Sequence, residues 1–225
     1  MKLQKYGVEL RRITAGDIEL LRQWRNSSHI QPYMNYREYI TPEMQETWFH
    51  SIDNINNFYY IIWFEGRQIG LFNEKDIDWE SRTSETGMFI ADPGLIDSHI
   101  PILVSLVLCQ AGFYILNGKA TYARIIRSNT RAIEFSKSFG YVMCPGEEEK
   151  EHQKYGLTRE RFENTAARLI AAADKVYNNN IILTAVLEEH DRENGVWQLI
   201  ENIVENSPVP HEREDIDNCR IYRFP

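Results

Sequence analysis

An apolar segment that lies between two predicted strands constrains the fold more than any other part of the chain. Residues 100–116 are mostly apolar and are followed by Asn117-Gly118, a pattern typical of a buried helix with a defined end. Residues 85–91 and 121–126 are predicted to be strands. A helix that connects two strands of one sheet places them parallel and lies on one face. The sequence therefore predicts a βαβ crossover in this region.

The same apolar segment is too short and too interrupted to predict a membrane span. A helix that crosses a bilayer needs about 20 predominantly apolar residues. This segment is interrupted by Pro101, Ser105, Gln110 and Gly112. The first six residues also lack the apolar core of a secretion signal, so we expect neither secretion nor a membrane partner.

The rest of the chain up to residue 145 alternates predicted strands and helices. Thr14 and Thr41 precede helical patterns and are predicted N-caps, the second followed by Pro and Glu in the first turn. The predicted order is a strand over 8–12, helices from 14 and 41, strands over 58–64 and 68–79, the βαβ unit, a helix over 129–140 and a strand over 141–144. This order predicts an α/β fold (α+β, mixed sheet) with a central, mostly antiparallel sheet flanked by helices.

Beyond residue 145 the patterns predict the end of a main domain and then a small appendage. A strand is predicted over 154–158, and apolar residues at helical spacing occur over 162–173 and 196–204. Residues 181–187 fit either a strand or a buried helix, and 219–224 is a predicted strand. We therefore predict a main domain over 1–177 and a C-terminal α/β appendage over 178–225 that packs on it.

The charge distribution argues against nucleic acid as a partner. The chain of 225 residues has a formal net charge of -8, but residues 1–145 carry 15 Lys and Arg against 16 Asp and Glu. Most of the acidity therefore lies in the last third, and no basic stripe is present. The three cysteines are scattered and the six histidines lack metal-ligand spacing, so we expect reduced thiols, a cytoplasmic protein and no metal.

Four short motifs occur in order along the chain: Leu21-Arg22-Gln23-Trp24-Arg25-Asn26, Ile40-Thr41-Pro42-Glu43 with Trp48-Phe49, the pair Gly70-Leu71-Phe72 and Glu85-Thr86-Gly87-Met88-Phe89-Ile90, and Asn129-Thr130-Arg131-Ala132 through Gly140-Tyr141. Together they resemble the GNAT superfamily of acetyl-CoA-dependent N-acetyltransferases. The first two are similar to the branch that acetylates amino sugars on nucleotide carriers, with ribosomal-protein and polyamine acetyltransferases as close relatives. The resemblance covers about residues 7–165, and the predicted order of elements matches that fold.

The resemblance implies acetyl transfer from acetyl-CoA, as co-substrate, to a primary amine by direct attack in a ternary complex. Removing the proton of an alkyl ammonium requires a base, and Glu85 matches the family's acidic residue on the corresponding strand. A solvated strand-edge carboxylate is the alternative interpretation of Glu85. The backbone of Phe89 and Ile90 would bind the pantetheine arm. Asn129 would touch the coenzyme, although its position as an N-cap alone explains it.

Two positions depart from the family pattern. The phosphate-binding turn corresponds to Asp97-Ser98-His99-Ile100, where Asp97 and His99 replace the expected glycines and Asp97 adds a negative charge. The amide groups at the start of the following helix would still be present, so we expect a weakened phosphate site. The family often places a Tyr, which protonates the leaving thiolate, where this chain has Ser136. Solvent, Tyr141 or Tyr155 could serve instead.

Arg25, Asn26 and Tyr33 are candidates for the acceptor pocket. An amino sugar on a nucleotide is the first candidate acceptor, and a protein N-terminus or a polyamine is the next. The alternative function is a GNAT-like binding or regulatory protein without catalysis, whose phosphate-binding turn has degenerated. A homodimer is left open.

Overall fold

The computed structural model describes all 225 residues, and its strands form one continuous sheet. The strands are β1 (Lys2–Lys5), β2 (Val8–Arg12), β3 (Phe58–Phe64), β4 (Arg67–Asp78), β5 (Thr83–Ile90), β6 (Ala120–Ile126), β7 (Val142–Met143), β8 (His152–Thr158), β9 (Leu183–Leu187), β10 (Glu212–Ile216) and β11 (Cys219–Phe224). Their order across the sheet is β10-β11-β9-β1-β2-β3-β4-β5-β6-β8-β7.

Seven α-helices flank this sheet. They are α1 (Ile18–Arg25), α2 (Pro42–Ile52), α3 (Ile100–Gln110), α4 (Thr130–Ser138), α5 (Arg159–Val176), α6 (His190–Glu193) and α7 (Val196–Glu205). Thr41 caps α2 by accepting a hydrogen bond from the Met44 amide, as predicted. The mixed α/β fold predicted from the sequence is confirmed.

The pairing of β5 with β6 is the only parallel pairing in the sheet. These strands are joined through α3, so the predicted βαβ crossover is confirmed. Almost every residue of α3 is buried, because the helix is apolar on all sides. Its last turn, Ala111–Ile115, widens to π-helical geometry. No helix is long and apolar enough to cross a membrane.

Two separate apolar cores cover the two faces of the sheet. The larger contains residues of α3, α4, α5 and α7 together with strand residues such as Phe72 and Ile90. The smaller lies under α1 and α2 and includes Leu21, Phe49 and Leu71, with Phe89 packed against it. Side chains alternate between faces along a strand, so Phe89 and Ile90 mark the two faces of β5.

Residues 178–225 extend the sheet at its N-terminal edge. The ambiguous segment 181–187 contains a strand, β9, which pairs with β1 on one side and β11 on the other. Asn194 and Arg12 both donate hydrogen bonds to Asp53, which ties this segment to β2 and to the end of α2. The proposed division into a main domain over 1–177 and an appendage over 178–225 stays a prediction.

Two strands, β1 and β10, were not predicted from the sequence. β1 has the sequence Lys-Leu-Gln-Lys, which offers a single apolar residue to a pattern search. All five residues of β10 are exposed, and this strand is held by its hairpin partner β11. Neither strand has an apolar pattern of its own: β1 is held by pairing with β2 and β9, and β10 is held by pairing with β11.

Gly70 lets β4 approach the backbone of β5 closely. A Cβ atom at this position would lie 2.3 Å from the carbonyl oxygen of Phe89, which is backbone and cannot rotate away. We expect Gly70→Ala to lower the free energy of unfolding by about 1–3 kcal/mol, as overpacked sites do. Urea unfolding measures this change.

Gly16→Ala is the matched control for that variant. The nearest atom to its added Cβ would be the Thr14 hydroxyl at 3.6 Å, which is ordinary contact. Its effect should stay within about 0.5 kcal/mol. Equal stability of Gly70→Ala and the native chain would contradict the close approach of the two strands.

Candidate active site

The strands β5 and β6 pair only over their first halves. Thr83–Thr86 align with Ala120–Ala123, and beyond these residues the two strands separate. The backbone groups of residues 87–90 that face β6 therefore have no strand partner. A cavity of about 1140 Å³ opens through this gap and reaches from the start of α3 to the segment between α1 and α2. Backbone groups left unpaired in this way are available to bind a ligand.

Glu85 lies in the wall of this cavity with a side chain that is only 15% exposed. Because it is four residues before Phe89 on the same strand, it projects from the face that carries α1 and α2. Its carboxylate accepts a hydrogen bond from the Arg124 Nε atom at 2.8 Å and contacts the Lys75 ammonium at 2.9 Å. These two cations fix the orientation of the carboxylate at the gap.

The turn before α3 lies at the other end of the cavity. Ser98 accepts a hydrogen bond from the Ile100 amide within the turn, and its hydroxyl donates to the Leu95 carbonyl. The N-cap residue of α3 is His99, and no side chain caps the helix. The amide groups of Asp97, His99 and Ile102 make no hydrogen bond within the protein. Free amides at a helix start favour an anionic ligand. This geometry fits a phosphate group although the two glycines are absent.

Asp97 forms an ion pair with Arg131 at the start of α4. The Asp97 side chain is 89% exposed and that of Arg131 is 52% exposed. Exposed pairs of this kind contribute about 0–1 kcal/mol, so a more highly charged ligand can displace Asp97 from Arg131. Both residues line the cavity, which places a positive charge beside the turn.

His99 and Ile100 lie outside the cavity wall. The His99 ring is hydrogen-bonded to the Tyr177 hydroxyl at 2.8 Å, and the Ile100 side chain is buried in the larger core. Of these two residues only the His99 amide remains free for a coenzyme role, because the Ile100 amide is bonded to Ser98. Asp97 and Ser98, in contrast, line the cavity.

Asn129 and Ser136 bring α4 to the cavity. The Asn129 side chain caps α4 by accepting a hydrogen bond from the Ala132 amide at 3.2 Å, and it also lines the cavity. Ser136 lies two turns along the helix, half-buried in the same wall. Tyr141 lines the cavity too, and burial raises its pKa well above the usual value. Tyr155 lies in the core, where its hydroxyl donates to Gln153.

The acceptor candidates separate into two groups. Arg25 and Tyr33 line the cavity, together with Tyr36 and Trp48. The Asn26 amide is instead engaged with the backbone of Ile40, donating to its carbonyl and accepting from its amide, both at 2.9 Å. Asn26 thus links the end of α1 to the segment before α2 and lies outside the cavity wall. Its role in substrate binding stays a prediction.

Glu74 was not predicted from the sequence, although it lines the cavity. It projects from β4 on the α3 face, where the Ser84 hydroxyl donates to it at 2.5 Å and also contacts the Thr121 hydroxyl. No cation pairs with it. Burial raises the pKa of Glu74, and only the hydrogen bond from Ser84 opposes this effect. An acid two residues after the core residue Phe72 on a strand is the sequence signal that could have found it.

Comparison with known proteins identifies the class. A family model described as an acetyltransferase (GNAT) domain matches residues 10–159. No curated protein matches the chain significantly. A domain from Methanocaldococcus jannaschii shares 26% identity with a TM-score of 0.58, over 67% of this chain and 97% of that one. The chain belongs to the GNAT family of acetyltransferases, and its reaction is N-acetyl transfer.

Two solved enzymes share this fold at lower identity. The aminoglycoside acetyltransferase AAC(6')-Ib, solved in complex with coenzyme A, is 22% identical with a TM-score of 0.59 over 70% of this chain and 98% of its own. Mutant forms of the spermidine/spermine N-acetyltransferase SpeG from Vibrio cholerae are 17% identical with a TM-score of 0.58, over 70% of this chain and 97% of theirs. At these identities the likeness concerns the fold.

The raised pKa of Glu74 predicts a pH-dependent stability. A carboxyl whose pKa is higher in the folded state than in the unfolded state stabilises the fold most when it is protonated. This stabilisation is lost as the pH rises above the unfolded-state pKa and through the folded-state pKa. Glu74→Gln keeps an acceptor for Ser84 and removes the ionisation. We therefore expect the variant to unfold at higher urea concentration than the native chain at about pH 7, with a smaller difference near pH 4.

Glu80→Gln, at an exposed position outside the cavity, is the control and should show no such pH-dependent gain. A Glu74→Gln variant that is less stable than the native chain at neutral pH would show that the ionised carboxylate contributes to the fold.

Proposed function

We propose that this chain transfers an acetyl group from acetyl-CoA to the primary amine of an amino sugar carried on a nucleotide, by direct attack in a ternary complex. The observation that carries the proposal is the gap between β5 and β6, because it joins the turn before α3 to the α1–α2 face in one cavity. A coenzyme that enters from one end and an amine that enters from the other would meet at this gap.

In this proposal the coenzyme lies along the separated edge of β5. The free amides of Asp97, His99 and Ile102 would bind its pyrophosphate. The unpaired backbone at Phe89 and Ile90 would bind the pantetheine arm and donate to the acetyl carbonyl oxygen as negative charge develops on it. Acetyl-CoA supplies the acyl group, and these residues hold it in one orientation.

Glu85 would accept the proton of the attacking amine, directly or through a water molecule. It lies on the α1–α2 face of the gap, and Lys75 and Arg124 keep its carboxylate in place. The leaving thiolate also needs a proton, and the Ser136 hydroxyl, in the α4 side of the same cavity, is the proposed donor. Tyr141 lies in the cavity as a second hydroxyl, whereas Tyr155 is engaged in the core.

Further features support an amino sugar nucleotide as the acceptor. The α1–α2 end of the cavity carries the aromatic rings of Tyr33, Tyr36 and Trp48, which offer flat surfaces to a sugar or a base. A cavity of about 1140 Å³ is slightly larger than the sizes typical of ligand sites and has room for two substrates.

A cytoplasmic location is part of the proposal, and the three unpaired thiols of Cys109, Cys144 and Cys219 support it. A homodimer stays a prediction, as does the structural independence of residues 178–225.

Two measurements test the proposal: the binding of acetyl-CoA to the native chain and the turnover of the Glu85→Gln variant. Calorimetry should detect saturable binding of acetyl-CoA to the native chain. Glu85→Gln should then lower kcat by about 100-fold or more, the usual contribution of a general base, while the affinity for acetyl-CoA stays nearly intact. Glu80→Gln is the control and should retain full turnover. A Glu85→Gln variant that loses coenzyme affinity would assign Glu85 a structural role instead.

Asp97→Asn tests the placement of the coenzyme phosphates. The substitution removes a negative charge from the turn and releases Arg131, so acetyl-CoA should bind several-fold more tightly, and the gain should shrink at high salt. Glu134→Gln is the control: it removes one negative charge from α4, outside the cavity, and should leave the affinity for acetyl-CoA unchanged. Unchanged affinity of Asp97→Asn would place the phosphates elsewhere.

A further inference from the structure

The charges on the cavity wall do not balance. Cationic side chains outnumber anionic ones: Arg25, Lys75, Arg82, Arg124 and Arg131 against Glu74, Glu85 and Asp97. The chain as a whole has a net charge of -8. A positive cavity in an acidic protein attracts negatively charged ligands and disfavours polycations.

Arg25 is the cation at the α1–α2 end of the cavity that has no acidic partner. Lys75 and Arg124 share Glu85, but no carboxylate lies within 4.0 Å of the Arg25 guanidinium, and its side chain makes no hydrogen bond. Burial lowers the pKa of Arg25, and only Tyr59 and Tyr36 oppose that effect. A guanidinium nevertheless keeps its charge in proteins, so Arg25 is a half-buried cation with no hydrogen-bond partner inside the protein, and its nitrogens are open to a ligand in the cavity.

The neighbouring Arg22 shows that polar partners are available on this helix. One turn before Arg25, its guanidinium donates to Glu19, to the Tyr39 hydroxyl and to the Ile40 carbonyl. Arg25 instead lies in the cavity wall beside the Trp48 ring, with the guanidinium carbon 5.7 Å from the ring centroid. Arg25 therefore lacks a polar partner because it faces the cavity, whereas Arg22 on the same helix has several.

The position of Arg25 connects it with the acceptor and not with the coenzyme phosphates. Arg25 ends α1, and α1 covers the face from which Glu85 and Phe89 project, with Trp24 of α1 packed edge-on against Phe89. The free amides that would bind the coenzyme pyrophosphate lie at the start of α3. An anion beside Arg25 belongs to the molecule that supplies the amine.

We propose that Arg25 binds a negatively charged phosphate group of the acceptor and so determines the substrate class as phosphate-bearing amines, with polycationic amines disfavoured. The planar guanidinium can donate two parallel hydrogen bonds to phosphate, and the ring of Trp48 holds it in place. This inference rests on the proposed acetyl transfer at the same cavity and adds the group by which the acceptor is selected.

Calorimetric titration of uridine diphosphate into protein saturated with coenzyme A tests the inference, because the coenzyme then occupies its own phosphate site. The native chain should bind uridine diphosphate and inorganic pyrophosphate more tightly than spermidine. Arg25→Met, which keeps the packing against Trp48, should lower the affinity for uridine diphosphate at least tenfold, and Arg25→Lys should lower this affinity less. Arg168→Gln, at an exposed position on α5 outside the cavity, should leave it unchanged.

The possible results separate this inference from the proposed function. Equal affinity of Arg25→Met and the native chain for uridine diphosphate, or tighter binding of spermidine than of either anion, would overturn the role of Arg25 even if acetyl-CoA binds normally. If coenzyme A does not bind, the proposed function fails, and the same titrations without coenzyme still decide the role of Arg25. Unchanged thermal unfolding of Arg25→Met and Arg25→Lys confirms that the variants fold.

Discussion

The partial pairing of β5 with β6 is the constraint on which the site depends. Parallel strands need a crossover between them, and α3 provides it because it is apolar on every side and can be buried between the sheet and α5. The pairing ends after Thr86, so the backbone of residues 87–90 is paired on its β4 side alone. An unpaired backbone edge inside a protein needs a partner. The gap therefore creates both the space for a ligand and the polar groups that bind it.

The same gap explains why the two ends of the cavity differ. Free amides at the start of α3 lie at one end, and side chains from α1, α2 and the segment between them lie at the other. Glu85 projects toward the α1–α2 face because strand residues alternate, while Ser84 and Glu74 project toward α3. The sheet thus separates Glu85, a carboxylate held by two cations, from Glu74, a carboxyl that has only a hydroxyl partner.

Local patterns predicted most of the fold. The helix over 100–116, the caps at Thr41 and Asn129 and the strands on either side of α3 follow from residues that are close in sequence. The contacts that define the site join distant positions, such as Glu85 with Arg124 and Asp97 with Arg131. Neither pair has a sequence signature. Asn26 shows the same limit, since a polar residue beside a predicted pocket proves to bond the backbone of Ile40.

Glu74 and Arg25, which line the cavity without an ion-pair partner, suggest how the fold separates stability from function. Several half-buried or buried charged groups outside the cavity are paired, as Arg12 is with Asp53 and Arg220 with Glu201. A buried ionisable group without a partner costs free energy, so the fold retains one only where something offsets that cost. Glu74 can lower its cost by holding a proton, because its pKa is raised. Arg25 has no such route, since a guanidinium stays charged, and an anion bound in the cavity would offset the cost of its partial burial.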